Sequence, residues 1–107
     1  MKSTRELSTI ELDEVSGGNC GHTAYDSMFL KELGLMNESY STFTVAFDWI
    51  DSSAAVDDGW ARIGIICCTH YGGLNEYFYN GKSINRKEAY EIAMEKTGIW
   101  VDLDNYM

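Results

Sequence analysis

Leu74-Asn75-Glu76-Tyr77-Phe78-Tyr79-Asn80-Gly81-Lys82-Ser83-Ile84-Asn85 is the stretch that decides the fold. Tyr77, Phe78 and Tyr79 suit a pleated, half-buried surface. Asn80-Gly81 supplies the two positive φ angles of a type I′ turn, so 74–79 and 82–84 read as an antiparallel hairpin. A helix follows at once. Asn85 can cap it, Glu88 can return the bond to the cap residue, and Ile84 can pack on Ala89 across the junction. Ala89, Ile92 and Ala93 give this helix an apolar stripe, and Gly98 stops it. Ile99 to Leu103 is expected to add a last edge strand.

Upstream of the hairpin, Trp60 to His70 is a long apolar, β-branched run containing Ile63, Ile65 and Ile66. With both faces apolar it reads as the central strand, and Tyr71-Gly72-Gly73 breaks it. Asp51 to Gly59 reads as a polar turn region. Its aspartates and serines lack the alternating oxygen ligands and distal glutamate of a calcium loop, which leaves a solvated connection. From Tyr40 to Ile50 the pattern has a period of two, with Phe43, Val45, Phe47 and Trp49 on one side, and predicts a half-buried strand. Before it, Thr23 is a plausible cap for a helix to about Leu33 with Tyr25, Met28, Phe29 and Leu33 on its buried face and Gly34 beyond its end. The sum is an α+β domain: a small antiparallel sheet of three to five strands with an N-terminal and a C-terminal helix.

Composition narrows the function. Of 107 residues, 45% are apolar and 13% aromatic, which suits a folded body and not a disordered tail. No run approaches the ~20 apolar residues of a membrane-spanning helix. A formal net charge of −9 argues against nucleic acid or anionic lipid as a partner.

The first eighteen residues, MKSTRELSTIELDEVSGG, stand apart from this body. On a helix turning about 100° per residue, Leu7, Leu12 and Val15 fall within roughly 140° and can dock in a shallow apolar groove. Gly17-Gly18 offers extended backbone with no Cβ to a narrow protease slot. An ordinary glycine-capped helix is the competing reading. A secretory signal peptide is excluded, because Glu11, Asp13 and Glu14 break every apolar run that could serve as its core. Arg5, Glu6, Leu7, Ser8, Glu11, Leu12, Val15, Ser16, Gly17 and Gly18 together resemble the double-glycine leader of microcin and bacteriocin precursors. That resemblance implies recognition by a peptidase-containing ABC exporter, with Leu7, Leu12 and Val15 docking and Glu11 orienting the leader. It further implies cleavage after Gly18 and release of residues 19–107 from a cytoplasmic precursor into the extracellular space.

Cys20, Cys67 and Cys68 are the three cysteines. In an exported protein they predict one disulfide, from Cys20 to either neighbour of the pair, with one thiol left over. On a strand, Cys67 and Cys68 point to opposite faces. The clusters Cys20-Gly21-His22 and Cys67-Cys68-Thr69-His70 could be set out as zinc ligands, but their intervals are not those of zinc sites, and neither a metal nor any other cofactor is expected. Asn19-Cys20-Gly21-His22 at a helix start also resembles the opening of papain-like cysteine hydrolases. That likeness implies Cys20 as nucleophile and His70 as general base, with Asp48, Asn75 or Glu76 as candidate orienting groups. The clustered aromatic residues Tyr71, Tyr77, Phe78 and Tyr79 read first as core and cross-strand packing. The leading expectation is a secreted bacteriocin-like precursor: a leader over 1–18 and a compact acidic cargo over 19–107 that acts on a protein target, with enzymatic activity left open and the non-enzymatic reading ahead. A small cysteine hydrolase and an uncleaved intracellular binding module are the alternatives.

Overall fold

The computed structural model describes residues 20–71 and 74–107. The leader residues Leu7, Glu11, Leu12, Val15, Gly17 and Gly18 lie outside them. The described chain runs α1 (Gly21–Glu32), α2 (Thr42–Phe47), α3 (Trp49–Ala61), β1 (Ile65–Cys68), β2 (Glu76–Tyr79), β3 (Lys82–Ile84), α4 (Arg86–Thr97) and a single 3-10 turn, Leu103–Asn105. The fold is α+β, with a three-stranded antiparallel sheet in the order β1-β2-β3.

The local signals with a mechanism behind them are realised. Asn80 and Gly81 turn the hairpin at φ of 54° and 79°. This sets Cys67 opposite Tyr77 and Tyr77 opposite Ile84, so one sheet face carries the core residues of all three strands. On β1 and β2 the other face leaves Ile66, Cys68 and Glu76 exposed. At the start of α4 the Glu88 N–H donates to Asn85 Oδ1 at 2.7 Å and the Asn85 N–H to Glu88 Oε1 at 2.9 Å, a reciprocal cap that satisfies two otherwise orphaned donors.

On the inner face of the sheet, Phe29 and Leu30 of α1 with Leu33 just past its end, Val56 and Trp60 of α3, and Ala89, Tyr90, Ala93 and Met94 of α4 close over Ile65, Cys67 and Tyr77. Its centre is aromatic. Phe29 stacks on Tyr90 with centroids 3.8 Å apart, and Trp60 meets Tyr77 edge-on at 5.3 Å. Cys20, Ala24 and Val45 form a second, smaller cluster where α2 covers the start of α1.

The region before the sheet departs from expectation. Tyr40 to Ile50 is no strand. Ser41 Oγ accepts the Thr44 N–H at 3.2 Å and starts α2, and of the alternating residues only Val45 is buried. Phe43 and Phe47, four apart, share the opposite, solvent-facing side of that helix. Asp51 to Gly59 is no loop but the body of α3. Its buried residues Ser52, Val56, Gly59 and Trp60 have helical spacing, hidden in the sequence because two of them are small. Gly59 is required by close approach: a Cβ there would lie 2.9 Å from Met36 Cγ and 3.0 Å from Leu30 Cδ1.

Trp60 therefore belongs to a helix, and the strand that follows is only Ile65–Cys68, at the sheet's edge and not its centre. Helix α1 begins two residues before Thr23, with Cys20 at its cap position. Its buried stripe is also more polar than expected, with Thr23, Asp26 and Ser27 fully covered beside Phe29 and Leu30 while Tyr25 and Met28 are only half-buried. Residues 99–102 join no strand. They lead into the 3-10 turn, where Asp102 Oδ1 accepts the Asp104 N–H at 3.0 Å. Among the described residues no helix is long and apolar enough to cross a membrane.

Candidate functional site

Asp26 sits on the apolar stripe of α1 and is completely buried. A carboxylate removed from water survives only if its lone pairs are occupied and its charge is met. Both conditions hold. Oδ1 accepts from Arg86 Nε at 3.1 Å, Arg86 Nη2 at 2.9 Å and Tyr90 Oη at 2.6 Å. Oδ2 accepts from Tyr77 Oη at 2.5 Å and Asn75 Nδ2 at 3.2 Å. Arg86 Nη2 also donates to Tyr90 Oη at 2.8 Å, so guanidinium, phenol and carboxylate close a ring.

The electrostatics keep the tyrosines and the arginine of this cluster in their donating forms. Burial first, then the Asp26 charge, pushes the Tyr77 and Tyr90 hydroxyls well above their ordinary pKa, so both remain protonated donors. Burial works against the charge on Arg86, but Asp26 and the two tyrosines outweigh it and hold its pKa above the ordinary value. A carboxylate with five donors and no exposed surface has nothing left to offer a substrate. The cluster is a lock between α1, β2 and α4, not an acid or base for catalysis.

Asn75 extends the lock to the loop after β1. Its Oδ1 accepts from Thr23 Oγ1 and from the His70 N–H, both at 3.3 Å, and its own N–H donates to His22 Nδ1 at 3.4 Å. Thr23 thus serves the loop instead of capping its helix. His22 accepts through Nδ1, so it cannot take up a second proton without losing that bond. Burial, and then the nearby Arg86 charge, lowers its pKa. With the folded pKa below the unfolded value of about 6.5, the contribution is fully present above that value and is lost as pH falls toward the folded pKa. Urea midpoints should therefore decline as pH drops below 6.5, and His22→Asn, which keeps an acceptor near the Nδ1 position, should flatten that part of the profile.

The structure places both the proposed nucleophile and the proposed base at the loop after β1. Cys20 is fully buried, its thiol directed at the Tyr71 carbonyl oxygen 3.8 Å away. His70 is exposed and its Nε2 lies 3.7 Å from Glu76 Oε1. Of the candidate orienting groups, Glu76 meets the His70 ring, Asn75 meets only its backbone, and Asp48 lies at the junction of α2 and α3.

No disulfide joins Cys20, Cys67 or Cys68. Cys67 faces the core and Cys68 the solvent, the opposite directions that strand alternation requires. Burial above all, then the Asp26 and Asp57 charges, raises the Cys67 pKa and keeps that thiol protonated and unreactive. Among the described residues no three His, Cys, Asp or Glu side chains converge at metal-binding spacing. Sequence reasoning passed over Asp26, Arg86 and Tyr90. The available signal was an acid at helical spacing from Phe29, Leu30 and Leu33, a position that demands a buried cation.

Comparison with protein-family models, with curated proteins and with solved structures gave no match.

Proposed function

We propose that the chain is an exported bacteriocin-like precursor whose leader is cut after Gly18 by the peptidase of an ABC exporter. The released cargo, an acidic α+β domain, then acts outside the cell by binding a protein. The reading rests on one observation, the ordered match of Arg5 through Gly18 to a double-glycine leader. The fold is compatible with it, because the partners of Asp26 among the described residues, Asn75, Tyr77, Arg86 and Tyr90, lie downstream of the proposed cut.

Intact mass of the protein recovered from culture medium tests the proposal. Cells carrying a peptidase-containing exporter should release a species beginning at Asn19. Full-length chain found only inside the cells would overturn the export reading.

A further inference from the structure

Phe47 and Ile50 expose 88% and 80% of their surface and Phe43 exposes 51%, all within eight residues at the junction of α2 and α3. Val45, between the two phenylalanines, is fully buried, so α2 is anchored by one side and presents its aromatic pair outward. By the area such side chains cover, the three offer on the order of 400 Å² of apolar surface, the size of the largest apolar patch on a typical monomer, which is often a functional one. Along the sequence, between Lys31 and Arg62, the charge has a single sign. From residue 32 to residue 61 the chain carries Glu32, Glu38, Asp48, Asp51, Asp57 and Asp58 and no lysine, arginine or histidine. Asp48 and Asp51 flank the patch and are exposed.

We propose that this face docks a cationic protein surface with an apolar centre. The proposal deepens the reading of the cargo as a protein-binding domain by naming the chemistry of its partner. It does not depend on export. Charge selects this occupant over the alternatives. A second copy, itself at −9, would bring like charges together around the apolar contact. The chain's own leader would bring Glu6, Glu11, Asp13 and Glu14 against Asp48 and Asp51, with only Lys2 and Arg5 to offset them. A patch of this size is too small to hold a stable complex by area alone, since a standard interface covers about 800 Å² on each partner. The acidic rim must therefore supply steering and register, which only a basic partner can use.

The test uses the full chain and two synthetic amphipathic helices, one of leucine and lysine and one of leucine and glutamate. The lysine helix should bind, more weakly as salt rises. Phe47→Ser should weaken that binding by about tenfold or more, as expected of a central aromatic anchor. Because Phe47 is so exposed, the fold should be unchanged by circular dichroism. Trp100→Ser, which removes another exposed aromatic residue far along the chain, should leave the affinity alone. The double variant Asp48→Lys, Asp51→Lys should shift preference toward the glutamate helix. Failure of the lysine helix to bind, or equal loss in Phe47→Ser and Trp100→Ser, would overturn the proposal. So would stronger engagement of a second copy, the leader peptide or zwitterionic vesicles. The binding result is independent of whether the chain is cleaved and secreted.

Discussion

Asp26→Ala should leave a chain with no cooperative unfolding transition, or one shifted so far that the native state is a minority at ordinary temperatures. The substitution strands a guanidinium whose side chain is only 14% exposed, together with the Tyr77 and Tyr90 hydroxyls and the Asn75 amide that now pair with the carboxylate. Removing one partner of a buried ion pair costs about 3–5 kcal/mol. A buried donor left unsatisfied adds roughly 1–3 kcal/mol. A domain of this size has on the order of 5–15 kcal/mol in total.

Urea titrations followed by near-ultraviolet circular dichroism would read the loss, because Tyr77, Tyr90 and Trp60 all report on the same core. Asp26→Asn keeps the volume and one acceptor, but its amide turns donors toward donors, so it should fall between the alanine variant and the parent. The informative comparison is Asp26→Leu with Arg86→Met. Removing both charges should restore part of the stability lost by Asp26→Ala, because the penalty comes chiefly from the orphaned cation. A loss of under about 1 kcal/mol in Asp26→Ala would show that the lock does not hold α1, β2 and α4 together.

The lock also shows where the sequence could be read and where it could not. The hairpin and α4 were legible because Asn80-Gly81 and Asn85 with Glu88 are bonds made within a few residues, where chemistry and spacing coincide. The segment from Tyr40 to Gly59 misled for two reasons. Apolar alternation at Phe43, Val45 and Phe47 imitates a strand although two of the three face water, and the buried stripe of α3 is partly made of Ser52 and Gly59, which carry no hydrophobic signal. For Asp26, the spacing from Phe29 and Leu30 told of burial, but the cation lies sixty residues away on another helix, and only the fold pairs them. On sequence grounds Asn75 is a candidate orienting group for a catalytic histidine. In the structure it clips α1 to the loop after β1, a role set by three-dimensional proximity to Thr23 and His22.

Gly18→Val should abolish release of the cargo while leaving its fold intact. A slot-shaped peptidase admits the residue before the scissile bond only if its backbone can lie flat against the cleft walls, and glycine is the residue with no Cβ to prevent this. Valine adds a branched side chain at that point and narrows the accessible backbone and rotamer space. The clash is paid in the transition state for cleavage, and a loss on the order of a hundredfold in processing rate is expected, comparable to the discrimination a close-fitting pocket imposes on an oversized group.

Gly18→Ala, with one methyl group, should be slowed less. Leu12→Asp should fail differently, since it removes an apolar docking contact and places a charge in its groove, weakening capture of the leader without altering the bond to be cut. In a purified peptidase assay the two defects separate as a loss in turnover for Gly18→Val and a loss in affinity for Leu12→Asp. Urea midpoints of both variants should match that of the parent if the leader is a detachable segment, since the Asp26 lock joins α1, β2 and α4. Processing of Gly18→Val at the parental rate would mean that the paired glycines are not read by a protease slot, and the first eighteen residues would then need another explanation than a removable export signal.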